Sequence, residues 1–170
     1  MQILNNYWMK LLINYAKYTG IIKLISGDDS FKIFKITDKI YVSNLPTIEN
    51  KDKLRDINTI IGFQTSDEYG FDKTLWIDKT NIKYYRIPIN DYSPPKSSDY
   101  DKLSKILERE NGKILFHCYA GKGRSNCGAC AALVLKENYN IHQAITLVKK
   151  HNPKSNMNFW QLKSLTDYFK

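Results

Sequence analysis

The stretch Ile114-Leu-Phe-His117-Cys118-Tyr119-Ala120-Gly121-Lys122-Gly123-Arg124-Ser125 restricts the fold more than any other part of the chain. A short apolar run ends at a cysteine, crosses two glycines and reaches an arginine six positions after that cysteine. Asn126 to Leu135 then reads as a helix of small residues. A strand that feeds a tight glycine loop and then a helix is the local plan of an α/β unit. It also makes an anion cradle. The first backbone N–H groups of a helix lack intrahelical partners, and the helix dipole favours negative charge beside them.

The residue types in this loop suit phosphate chemistry. A thiolate is a strong nucleophile, and a helix N-terminus with a nearby cation lowers a cysteine pKa from about 8.5 to roughly 3.5–7.5. Cys118 stands where both influences act. Arg124 offers a planar fork that grips two phosphate oxygens at once, which a lysine cannot do. Gly121 and Gly123 let successive amides curl around one anion. Ser125 can cap the helix or hydrogen-bond the Cys118 sulfur. His117 can brace the loop through a ring N–H. The alternative for Cys118, a buried core thiol in an ordinary strand-to-helix turn, does not explain the arginine, the glycines and the serine together.

His117-Cys118-x-x-Gly121-x-x-Arg124-Ser125 resembles the signature of the small dual-specificity branch of the cysteine-dependent protein tyrosine phosphatase superfamily. The likeness extends over about residues 34–170. Ile40-Tyr41-Val-Ser-Asn-Leu45-Pro resembles the family's early strand and turn, and Asn156-Met-Asn-Phe159-Trp-Gln161-Leu162 the start of its C-terminal helix. Asn126 and Cys127 stand where Gly-Thr or Gly-Ala is common, a departure expected to touch packing more than chemistry. The resemblance implies phosphomonoester hydrolysis through a phosphocysteine intermediate, without metal or cofactor. Cys118, Arg124 and Ser125 would be catalytic. Tyr119, Ala120, Gly121, Lys122, Gly123 and Arg124 would bind phosphate, with His117 in support.

Such a reaction needs a proton donor for the leaving oxygen. Asn81–Ile89 reads as a β-rich run, followed by Asn90-Asp91-Tyr92-Ser93-Pro94-Pro95. In open α/β sheets, sites form beyond the carboxyl ends of strands, so Asp91 emerges at the right edge. By resemblance it is the general acid and then the base that activates water. Asp99 and Asp101 are rivals, but beside Ser97-Ser98 they look like residues of a helix N-terminus.

Other readings of the motifs fare less well. A Walker loop needs a glycine where Phe116 stands and Ser or Thr where Gly123 stands. Cys127-Gly-Ala-Cys130 has the spacing of a zinc or redox pair, yet His142 and His151 lie outside a finger pattern. Residues 127, 130, 131 and 134 share one helical stripe, so two buried core thiols are expected. A reversible Cys118–Cys127 disulfide is the lesser alternative.

A net charge of +9 fits an anionic substrate and speeds its approach. Three cysteines, an odd number, speak against a secreted disulfide framework. A cytoplasmic location with nuclear access is expected. At the N-terminus, Leu4, Trp8, Leu11, Leu12 and Tyr15 recur at helical spacing, predicting an amphipathic helix. Its polar residues break any span long enough for a transmembrane segment. The expected partners of that helix are its own domain, a second copy in a homodimer, or a membrane surface. Ser26-Gly-Asp-Asp-Ser30 is linker-like, which divides the chain into a helical extension, residues 1–27, and a catalytic domain, residues 28–170.

The remainder predicts an α/β fold: a central, mostly parallel sheet of about five strands flanked by helices. Short paired strands are expected at Phe31–Ile36 and Ile40–Ser43, a helix from Thr47, and a strand at Thr59–Gln64. Thr65–Thr80 reads as a long polar surface loop. Helices are expected through Tyr100–Leu107, from Asn140 with a capping pair to Gln143, and from about Asn158. The leading functional expectation is a phosphatase acting on phosphotyrosine, and on phosphoserine or phosphothreonine, in proteins. Lys122 and the basic charge support an anionic lipid (phosphoinositide) or RNA 5′-phosphate substrate instead, although Tyr119 replaces the second lysine common in lipid-directed loops. A silent phosphate-binding scaffold is the reading from another class.

Overall fold

The computed structural model describes residues 30–170. The expected N-terminal helix, its boundary at residue 27 and its role in a homodimer lie outside the described residues. The five strands are β1 (Ile33–Lys35), β2 (Ile40–Ser43), β3 (Thr59–Gly62), β4 (Lys83–Arg86) and β5 (Ile114–His117). They lie in the order β1-β2-β5-β3-β4, with β1 antiparallel to β2 and all other pairs parallel. The four helices are α1 (Ser97–Arg109), α2 (Arg124–Glu137), α3 (Ile141–His151) and α4 (Phe159–Tyr168). The expected α/β architecture is the observed one.

β5 is the middle strand, and all four of its residues are buried, as a parallel strand covered on both faces requires. Its register pairs His117 with Ser43 on one side and with Gly62 on the other. The loops after β2, β3, β4 and β5 therefore leave from one edge of the sheet. α2 is buried from Arg124 through Leu133, because it runs between the sheet and α1, α3 and α4. Gly128, Ala129, Ala131 and Ala132 keep it thin enough to fit there. Cys127 and Cys130 are core residues on this helix, as the stripe predicted, and all three cysteines are free thiols. Burial pushes the Cys127 and Cys130 thiols well above their ordinary pKa.

Local signals account for three of the four helix starts. Asn140 accepts from the Gln143 N–H at 2.9 Å, and Asn158 from the Gln161 N–H at 2.9 Å, so α3 and α4 both start in capping boxes. Asp99 accepts from the Lys96 N–H at 2.8 Å at the start of α1. Asp101 accepts from the Tyr168 hydroxyl at 2.6 Å. Both rivals of Asp91 thus serve the scaffold. The helix expected from Thr47 is a 3-10 helix, Ile48–Leu54, in which only Leu54 is buried. A segment with one anchoring side chain has too little apolar face to hold longer α-helical turns.

α2 packs closely against two aromatic rings at Gly128. A Cβ there would sit 2.5 Å from Phe63 Cζ and 2.8 Å from Phe116 Cδ1, two rings stacked with centroids 6.3 Å apart. Overpacking costs about 1–3 kcal/mol, while removing a helical glycine returns at most about 1 kcal/mol. Gly128→Ala is expected to lose about 1–2 kcal/mol of unfolding free energy. Urea denaturation checks this, and an unchanged or raised midpoint would contradict it.

Candidate active site

The loop from Cys118 to Gly123 joins β5 to α2, and its shape follows from where its carbonyls point. The Tyr119 carbonyl accepts from the Leu45 N–H at 3.0 Å, and the Lys122 carbonyl from the Asn156 N–H at 2.8 Å. Gly121 O takes two side-chain amides, Asn126 Nδ2 at 3.0 Å and Asn152 Nδ2 at 3.1 Å. Gly123 O opens the α2 ladder through the Asn126 and Cys127 N–H groups. In a trans peptide the carbonyl and the following N–H point opposite ways. Four carbonyls turned outward therefore turn the N–H groups of Ala120, Lys122, Gly123 and Arg124 toward the centre of the loop. Gly121 holds φ at 69°, and a Cβ there would lie 2.8 Å from the Asn44 nitrogen, so the turn requires glycine.

Cys118 starts this ring, 3 % exposed. Its sulfur lies 3.3 Å from Ser125 Oγ. Of the two roles open to Ser125, the structure shows the contact with sulfur, since the N-cap is Gly123.

Arg124 is 1 % exposed, and its guanidinium is held by oxygen on nearly every side. Nη1 donates to the carbonyls of Phe63 at 3.2 Å and Ile89 at 2.7 Å, and to Glu68 Oε1 at 2.5 Å. Nη2 donates to Glu68 Oε2 at 2.9 Å and lies 3.1 Å from Asp91 Oδ1. The Nε–H alone is buried without a hydrogen-bond partner among the described residues. Glu68 thus occupies the outer edge of the fork, while on the edge formed by Nε and Nη2 only Asp91 among the described residues makes contact, through Nη2. Burial opposes the charge of Arg124, but the hydrogen bonds it donates to Glu68 and the charges of Cys118, Glu68 and Asp91 raise its pKa further.

Glu68 adds a role to the long polar surface loop expected at Thr65–Thr80. That segment contains two 3-10 turns, Asp72–Thr74 and Ile77–Lys79, and it buries Thr74 and Ile77. It also supplies the only carboxylate in bidentate contact with Arg124 among the described residues. The available signal was indirect: a buried arginine demands an anion from somewhere. Asn126 also corrects an expectation, since its side chain holds a carbonyl of the loop rather than only filling space.

His117 lies behind the loop. Its Nε2 is 2.7 Å from the Tyr84 hydroxyl, and Gly62 leaves them room, since a Cβ there would come within 2.6 Å of both atoms. Burial raises the Tyr84 pKa. Burial pushes the His117 pKa down to about 3, and the Arg124 and Arg86 cations add to this. Lys122 is exposed on the rim of the loop, as is Ala120, while Tyr119 is half-buried against Tyr69, ring centroids 6.1 Å apart. No group of three or more metal-ligating side chains occurs among the described residues.

Fold and site together define a cysteine-centred oxyanion cradle at the carboxyl edge of a mostly parallel sheet. The family model described as dual specificity phosphatase, catalytic domain, matches residues 40–170, and the chain belongs to that family. Among its relatives, the tyrosine phosphatase-like protein 123R of Invertebrate iridescent virus 6 is 32% identical over 125 residues, 68% of this chain and 77% of the viral protein. The inositol diphosphatase DSP3 of Arabidopsis thaliana is 30% identical over 98 residues, 54% of this chain and 48% of that protein. Dual specificity protein phosphatase 16 of Homo sapiens is 33% identical over 91 residues, 51% of this chain and 14% of that protein. The chain spans less than half the length of these last two relatives. Solved structures share the fold, two of them as follows. Tk-PTP in its active form has TM-score 0.69 at 24% identity, covering 79% of this chain and 93% of that one. PTPMT1 in complex with PI(5)P has TM-score 0.71 at 17% identity, covering 81% and 94%. No described helix is long and apolar enough to cross a membrane.

Two expectations follow. Glu68→Ala leaves buried Arg124 with Asp91 as its one carboxylate partner among the described residues, and costs at most the roughly 3–5 kcal/mol of a broken buried pair. Vanadate affinity is expected to fall about tenfold, because the guanidinium loses the bidentate carboxylate that aims it; titration checks it, and unchanged affinity in a folded variant would contradict it. For His117 the folded pKa lies below the unfolded value, so the unfolded state takes the proton first. Its contribution to stability is complete above about pH 6.5 and is lost as pH falls toward about 3. The unfolding free energy of His117→Gln should therefore change less over that window than the parent's, as parallel urea titrations would measure.

Proposed function

We propose that the protein hydrolyses phosphomonoesters through a phosphocysteine intermediate, with phosphotyrosine and phosphoserine or phosphothreonine in proteins as substrates. One observation carries the reading: the partnerless Nε–H of a buried arginine and the inward N–H groups of one loop lie around a single cysteine, and that arginine also meets Asp91. The ester phosphate enters with its oxygens on Arg124 and the loop amides. Cys118 sulfur attacks phosphorus, the bond from phosphorus to the ester oxygen breaks, and Asp91 gives that oxygen its proton. Asp91 then takes a proton from water, whose oxygen attacks phosphorus as the sulfur–phosphorus bond breaks. The Ser125 hydroxyl, beside the sulfur, hydrogen-bonds the departing thiolate. A thiol nucleophile fits a reducing compartment, the cytoplasm or nucleus.

The protein-directed reading is supported by the family description and by the viral and human relatives. A second reading, an inositol phosphate or phosphoinositide, is favoured by one feature of the site. Lys122 is exposed at the loop rim, where a further phosphate on a ring would find a cation. The printed names of DSP3 and of the PTPMT1 complex point the same way. Parallel assays on phosphopeptides, soluble inositol phosphates, phosphoinositides and 5′-triphosphorylated RNA separate these substrates, and turnover of the last three alone would overturn the protein-directed reading.

The mechanism is tested on the thiol itself. Cys118→Ser is expected to abolish turnover of an aryl phosphate while still binding inorganic phosphate. Rapid acid quench of the parent during turnover should yield a phosphocysteine peptide by mass mapping. Residual turnover of more than about 1% in Cys118→Ser would remove the sulfur from its role.

A further inference from the structure

One short segment, residues 152–161, grips both loops of the site. Asn152 and the Asn156 N–H hold the carbonyls of Gly121 and Lys122 in the phosphate loop. Asn158 Nδ2 donates to Tyr92 O at 2.8 Å, and Gln161 Nε2 donates to Ser93 O at 3.2 Å. Tyr92 and Ser93 directly follow Asp91. The two grips lie six residues apart along the segment, from Asn152 to Asn158.

The bend at Tyr92 is what needs holding. Tyr92 has φ at 61°, a left-handed conformation that a bulky residue adopts only when its surroundings impose it. The residue is 74% exposed, so core packing does not impose that conformation. Its backbone does the anchoring: the N–H donates to Asp91 Oδ1 at 3.1 Å, while the carbonyl accepts from Asn158. Straightening this residue would swing the Asp91 carboxylate away from Arg124 Nη2, 3.1 Å away.

We infer that Asn158 is the positioning residue for Asp91, clamping the Tyr92 bend so that the carboxyl group faces the phosphate loop. This rests on the reading of Asp91 as general acid. Asn158 does two separable jobs with two different atoms. Its Oδ1 caps α4 by accepting from Gln161 N–H, and its Nδ2 holds Tyr92 O. Aspartate and serine both cap helices well, yet neither carries an amide donor that reaches Tyr92.

Asn158→Asp and Asn158→Ser therefore keep the helix start and release the loop. The test compares kcat/KM for an alkyl phosphate and for an aryl phosphate with a very acidic leaving group, which needs little protonation. Asp91→Asn is the reference and is expected to lose roughly 100-fold or more on the alkyl ester and far less on the aryl ester. Both Asn158 variants are expected to lose about tenfold on the alkyl ester, under about twofold on the aryl ester, with melting temperature unchanged. Equal losses on both esters, or a loss confined to the charged substitution Asn158→Asp, would overturn the clamp while leaving Asp91 in place. A reference variant with no leaving-group dependence would overturn the acid assignment and the clamp with it.

Discussion

A guanidinium taken out of water is the constraint around which the site is arranged. Desolvating such an ion costs several kcal/mol unless charge and hydrogen bonds replace the lost water. Around Arg124 that replacement comes from Glu68 and from the carbonyls of Phe63 and Ile89, each delivered by a different turn of chain. Phe63 follows β3, Ile89 follows β4, and Arg124 itself opens α2 after β5. The ion is thus a rivet through three adjacent strand ends. Moving any of them would leave a buried charge short of a partner. This gives the Nε edge of the fork a fixed direction, so on the proposed function little ordering remains to oppose phosphate binding.

The same logic governs the neutral groups. Gly121 O is met by two asparagines, and Asn152 Nδ2 also reaches Asn126 Oδ1 at 2.8 Å. Both side chains are fully buried, so each amide hydrogen spent on this carbonyl is one that water cannot satisfy. The closed triangle fixes the peptide plane between Gly121 and Lys122. An amide that must face an anion is therefore held by its own carbonyl, from outside. A loop of this kind is preorganised by its second layer of contacts, and the small residues of α2 matter because they bring that layer close enough.

Much of this was legible in the order of residues, for physical reasons that differ from part to part. Ile114–His117 reads as a buried strand because nothing polar interrupts it before the histidine, and Asn140 with Gln143 reads as a helix start because capping is a local interaction. The Cys118–Ser125 loop reads as an anion cradle because its chemistry sits within one turn of chain. Glu68 does not, since it meets Arg124 across 56 positions and lies in a segment with ordinary loop composition. Asn152 and Asn158 escape for the same reason: an asparagine at a helix end has a sufficient local explanation in capping. His117 shows the converse. Its place beside Cys118 was visible, but its Tyr84 partner depends on a glycine in β3 that makes room for both side chains.

The placement of Asp91 carries a consequence for the order of events on the proposed mechanism. Its Oδ1 lies beside the Nη2 edge that an incoming phosphate would take. Carboxylate and phosphate compete for one cation, and two anions cannot share that edge without repulsion. On the proposed mechanism the ion pair with Arg124 is therefore a resting position, from which the arriving phosphate displaces the Asp91 carboxyl group toward the ester oxygen. Glu68 stays on the outer edge of the fork, so the arginine keeps its direction while Asp91 moves.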